Sequence, residues 1–99
     1  MKILFWQQNI INEPGIERAF RAMNIELIIH KNILDDWDYD KTCLETLSNY
    51  LQTSSFHCVF TVNYVPIISR VCDIYKVPYL SWIVDSPCFH FIPKQYQIP

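Results

Sequence analysis

The stretch FHCVFTVNYVPIISRVCDIYKVPYLSWI, residues 56–83, decides the fold. It opens with Phe56 to Val62, rich in β-branched and aromatic residues, which predicts a strand. Asn63-Tyr64-Val65 turns the chain into Pro66. Proline suits the first turn of a helix, where its missing N–H is not needed. Ile67, Ile68, Val71, Cys72 and Tyr75 then recur at helical spacing and predict one apolar face. Val77 to Ile83 returns to strand, with Pro78 near its start, where a missing donor is tolerated. A strand, a helix and a strand in this order form a parallel crossover unit, right-handed in nearly all proteins.

The same alternation runs back to the N-terminus. Ile3 to Trp6 is a short continuous apolar run, as expected of a strand covered on both faces. Pro14 fits a second helix start, Ile16, Ala19, Phe20 and Met23 share a face, and Asn24 suits a left-handed stop. Ile25 to His30 predicts the next strand. Lys31 to Asp38 reads as a loop, and the acidic run Asp35 to Asp40 as solvated. Tyr39 or Asp40 starts a helix with Cys43, Leu44, Leu47, Tyr50 and Leu51 on one face, ended by Thr53-Ser54-Ser55. The whole predicts an α/β domain of three layers: a parallel sheet of about four strands, order 2-1-3-4, with helices on both faces. The first and third strands are the most uniformly apolar and belong at the centre. Trp82 is expected in the core, and His30 and His57 are expected to be satisfied or at an edge.

Composition narrows the function classes. The chain has 99 residues, 51% of them apolar, and a formal charge of -2 without a basic cluster. That suits one domain and argues against disorder and against a nucleic-acid surface. No apolar run approaches the length of a membrane span, and no signal peptide is recognisable, so a cytoplasmic location is expected. The single glycine, Gly15, rules out glycine-rich phosphate loops. Cys43, Cys58, Cys72 and Cys88 form no Cys-x-x-Cys pair. A set of His57, Cys58, Cys88 and His90 is conceivable, but packed free thiols without a metal are the expectation.

In open parallel sheets, ligands bind beyond the carboxyl ends of the strands. Three segments should converge there: Gln7-Gln8-Asn9, Thr61 to Pro66, and Asp85-Ser86-Pro87. Each has a plain structural reading. Asn63 can shape a turn or cap the helix begun at Pro66, Tyr64 can pack at the helix entry, and Asp85-Ser86-Pro87 can begin a turn. Each also has a functional one: amides and hydroxyls that recognise a hydroxyl-bearing ligand, and a ring on which it stacks. The paired acids of a receiver domain and the Ser/Thr-rich loop of a flavodoxin are both missing after the first strand.

The opening MKILFW and the block VFTVNYVPIISRVCDIYKVPYLSWIVDSP over residues 59–87 resemble a bacterial family. It is the N-terminal domain of type-B glycosyltransferase-like proteins, related to spore-maturation glycosyltransferases. The motif positions fall on Asn63, Tyr64, Pro66, Ser81, Trp82, Asp85, Ser86 and Pro87. The resemblance implies a Rossmann-like, acceptor-side half of a two-domain enzyme, inactive alone. A C-terminal glycosyltransferase domain would hold the nucleotide-sugar donor, and a sugar or glycan acceptor would meet this half. Asn9, Asn63, Tyr64, Trp82 and Ser86 are then the substrate-binding candidates. Asp85, at the crevice, is the candidate general base, with His90 second. The alternative is a non-enzymatic α/β binding or interaction module. No cofactor is expected in this chain.

Overall fold

A computed structural model of the chain describes residues 1–82. The elements are β1 (Lys2–Gln7), α1 (Glu13–Ala22), β2 (Glu26–Lys31), α2 (Lys41–Thr53), β3 (Cys58–Val62), α3 (Pro66–Ile74) and β4 (Tyr79–Trp82). They build one parallel sheet in the order β2-β1-β3-β4. The sequence predicts this order, and the reason is visible in burial. β3 is buried along its whole length and β1 from Ile3 onward, whereas β2 and β4 are half-covered edges.

Two cores lie on opposite faces of the sheet, making the three layers of a Rossmann-like fold. On one face Leu4, Trp6 and Val59 meet α2 through Cys43 and Leu47, and α3 through Ile68 and Val71. On the other face Ile3, Phe5 and Phe60 meet α1 through Ile16 and Phe20. There Phe5, Phe20 and Phe60 contact edge to face, with centroids 5.1 to 6.2 Å apart. One helix does not cover that face. An apolar groove of about 640 Å³ stays open between α1 and β4, bordered by Phe20, Met23, Phe60, Leu80 and Trp82.

Element ends differ from the expected ones for identifiable reasons. The strand expected from Ile25 begins at Glu26, and the one expected from Val77 begins at Tyr79. In both cases the preceding helix consumes the first N–H. Ile25 donates to the Phe20 carbonyl and Val77 to the Cys72 carbonyl, five residues back. Asn24 and Lys76 donate three residues back from left-handed backbone, φ 60° and 59°. This pair of bonds is the Schellman ending of a helix. The third strand begins at Cys58, where pairing with Ile3 of β1 begins, rather than at Phe56.

Three further expectations resolve. Trp82 does not pack in the core: it is 59% exposed on β4, the edge of the described sheet. The acidic run is not simply solvated. Asp40 caps α2, its Oδ1 accepting from the Cys43 N–H at 2.8 Å, and Asp36 Oδ1 accepts from the Asp38 N–H. Both histidines have partners: His30 Nδ1 lies 3.0 Å from the Tyr50 hydroxyl, and His57 Nδ1 accepts from the Lys2 N–H. Cys43, Cys58 and Cys72 are free and buried. Burial pushes the Cys43 and Cys72 thiols up to about 12. Among the described residues no group of side chains is placed to hold a metal, and no helix is long and apolar enough to cross a membrane.

Candidate functional site

The loops that follow β1 and β3 sit side by side at the carboxyl edge of the sheet, since β1 pairs with β3. Each is built on an asparagine in left-handed backbone: Asn9 at φ 64° and Asn63 at φ 68°. Asparagine tolerates this region better than other non-glycine residues. Asn63 therefore shapes a turn, as one of its two structural readings requires. It does not cap the helix: the residue before α3 is Val65, and no side chain caps it.

The loop after β1 is held from within. The Glu13 carboxylate is buried at 3% exposure and folds back over the loop. One oxygen accepts from the Gln8 N–H at 2.7 Å and the other from the Ile10 N–H at 2.9 Å. The Glu13 N–H returns a bond to the Ile10 carbonyl. An acid in the first turn also suits the positive end of the helix dipole. Gln8 then ties this loop to the chain after β2, its Oε1 accepting from the Leu34 N–H at 3.0 Å. Trp6 does the same through its indole N–H and the Asn32 carbonyl. The Gln8 amide Nε2 is buried and meets no acceptor among the described residues. Such a donor costs about 1–3 kcal/mol unless something reaches it.

Beside this loop opens a cleft of about 470 Å³ and mixed polarity, lined by Gln7, Asn9, Glu13, Lys31 and Asn32 with Ile10, Pro14 and Ile33. Gln7 reaches across to α1, its Nε2 donating to Glu17 Oε1 at 3.1 Å. That bond, followed by Arg21 and the charge of Lys31, holds the Glu17 carboxyl below its ordinary range. Gln7, Asn9 and Asn32 are the amide-bearing residues of this lining, with the Gln7 Nε2 already engaged by Glu17.

The loop after β3 is held from the neighbouring strand instead. The Val65 N–H donates to the Tyr79 hydroxyl at 3.0 Å. Tyr79 donates to Thr61 Oγ1, and Thr61 donates to the Asn63 carbonyl at 2.7 Å. The Asn63 N–H donates to the Trp82 carbonyl at 2.7 Å, which locks β4 to the same turn. Burial pushes the Tyr79 phenol up from its ordinary value. Tyr64 packs its ring against Tyr79 at 5.8 Å, in keeping with a helix-entry packing role.

Of the candidate residues, Asn9 lines this cleft beside the first loop. Trp82 borders a shallower depression with Ile11 and Asn12, at the start of α1. Asn63 and Tyr64 line neither of these. Asp85, Ser86 and His90 lie outside the described residues, as does Cys88. Glu13, Lys31 and Asn32 were not singled out by the sequence reading. An acid immediately before a proline-initiated helix was the available signal for Glu13. Nothing in the sequence alone marks Lys31 or Asn32, which reach the cleft only because β2 lies beside β1.

No protein-family model matches the chain, and comparison with curated proteins and with solved structures gives no match either. The resemblance to a glycosyltransferase domain rests on the quoted sequence blocks alone.

Proposed function

We propose that this domain binds a hydroxyl-rich ligand at the carboxyl edge of its sheet, as the acceptor-side half of a nucleotide-sugar-dependent glycosyltransferase. The observation that carries this reading is the cleft beside the first loop, where three amide-bearing residues are among those that line a space of about 470 Å³. Amides both donate and accept, and hydroxyl groups require both. The location at the carboxyl ends of parallel strands is where this fold class places ligands. On this reading a partner domain grips the donor nucleotide. Asp85, outside the described residues, is assigned on sequence grounds as the base that takes the proton of the acceptor hydroxyl.

Thermal melting of the chain with UDP-glucose, GDP-mannose and neutral oligosaccharides tests the division of labour. A ligand that binds only the folded state raises the melting temperature by mass action. Stabilisation by an oligosaccharide but not by either nucleotide sugar is the expected result. Stabilisation by a nucleotide sugar alone overturns the acceptor assignment.

A second reading, a non-enzymatic interaction module, is favoured by one observation, the apolar groove between α1 and β4. Exposed apolar surface of this kind is common at protein interfaces. Sedimentation of the chain at rising concentration, with no response to any saccharide in the melt, would favour this reading over the first.

A further inference from the structure

In many parallel α/β folds the turn after the first strand, with the helix behind it, is a ready-made anion site. Backbone N–H groups point outward, and the helix dipole favours negative charge. In this protein that position is already filled. The buried Glu13 carboxylate takes the N–H groups of Gln8 and Ile10, at 2.7 and 2.9 Å. The Glu13 N–H goes to the Ile10 carbonyl, and Pro14 has no N–H to offer. We propose that Glu13 is a built-in substitute for a bound anion, and that it sets the ligand class of the adjoining cleft: neutral and hydroxyl-bearing, with phosphate and phosphorylated ligands excluded.

Two independent observations support this. First, the geometry at Glu13 is that of a bound carboxylate rather than a surface acid. It is 3% exposed, and each oxygen has its own backbone donor. Charge-assisted bonds of this kind are roughly twice as strong as neutral ones, so a phosphate would have to displace a tethered competitor. Second, the cleft itself offers an anion little. Among the described residues that line it the one cation is Lys31, whose charge already acts on the Glu17 carboxyl. Glu17 is linked to the cleft through Gln7. An entering phosphate would find the Glu13 carboxylate and a single lysine among the described lining residues, whereas a sugar hydroxyl would find the amide-bearing Gln7, Asn9 and Asn32. The assignment deepens the acceptor-side reading and rests on it for the identity of the cleft as a ligand site. The blockade of the anion position stands on the Glu13 geometry alone.

The test is an amide NMR titration of the uniformly labelled 99-residue chain with inorganic phosphate and, separately, with maltose. In the wild type, phosphate in the millimolar range should move neither the Gln8 nor the Ile10 amide saturably. In Glu13→Ala both amides should move saturably, with phosphate affinity raised by about tenfold or more as two donors become free. A saturable wild-type response at these amides overturns the proposal, and so does a folded Glu13→Ala chain with no gain. Should Glu13→Ala lose its amide dispersion, Glu13→Gln decides in its place. It keeps the size, removes the charge and should show a smaller gain, and no gain again overturns the proposal. The maltose arm reads the acceptor assignment separately. If maltose leaves the cleft amides unmoved while the phosphate arms behave as stated, the acceptor reading falls and the role of Glu13 as an anion substitute stands.

Discussion

The loops after β1 and β3 look alike and are held by opposite means. Both follow a central strand, both turn on a left-handed asparagine, and both lead into a helix with proline in its first turn. The first is fastened by a charge from its own helix, with Glu13 reaching back three and five residues. The second is fastened by hydroxyls, and its main support, Tyr79, comes from the next strand, fourteen residues beyond Val65. Local fastening gives the first loop its turn from its own helix, with Gln8 adding a tie to the chain after β2. The second acquires its shape only when β4 docks. A site on the first loop is therefore pre-formed, and pre-formed sites lose less free energy on binding.

Substitutions can break this contrast. Glu13→Ala should have the largest effect, a loss of about 3 kcal/mol in urea unfolding, because two backbone donors lose their acceptor at once. Tyr79→Phe should cost about 2 kcal/mol, by stranding the Val65 N–H and removing the donor to Thr61. If the loops are independent, the double substitution should be additive within ~0.5 kcal/mol, whereas Tyr79→Phe with Thr61→Val should show coupling of about 1 kcal/mol. Asn9→Ala and Asn63→Ala should each cost about 1 kcal/mol from left-handed strain. Equal losses at the two asparagines would confirm that the turns are alike and only their fastenings differ.

The smallest and most selective effect is one of pH. Burial holds the Tyr79 phenol protonated in the folded chain beyond its ordinary value of 10.0. The folded state then binds more protons than the unfolded one, so this contribution is complete below pH 10.0 and is lost as the pH rises through the folded value. Cys43 and Cys72, pushed up to about 12, begin a similar decline from 9.0. Urea midpoints measured across that range should fall with rising pH. Tyr79→Phe should flatten the upper part of the fall and leave the cysteine part in place.

The fold was legible in the sequence because period and punctuation agreed. Pro14 and Pro66 mark helix starts, and Asn24 marks a stop by the left-handed backbone it adopts. The uninterrupted apolar runs of β1 and β3 separate the centre of the sheet from its edges. Trp82 was misread because an apolar ring carries no mark of edge or centre. Its exposure goes with its place on β4, at the edge of the described sheet. Lys76 was missed as a helix stop because lysine is an uncommon left-handed residue. At the candidate site, Gln7-Gln8-Asn9 was placed correctly at the carboxyl edge by strand order. Its partners were not legible, since Lys31, Asn32 and Leu34 come from the neighbouring strand and loop, and contacts across a sheet leave no trace in local sequence spacing.

Asn9, Asn24, Asn63 and Lys76 all occupy backbone that glycine adopts most easily, in a chain with a single glycine. The consequence lies in the denatured chain. Glycine adds conformational freedom that folding must remove, worth about 0.4–1 kcal/mol at each position. Four such positions filled by larger residues narrow the unfolded ensemble. What the native turns give up in backbone strain is largely recovered as disorder the unfolded chain never had. A glycine placed at Asn9 or Asn24 would thus relax the turn and loosen the unfolded chain by comparable amounts, leaving the melting temperature nearly where it was.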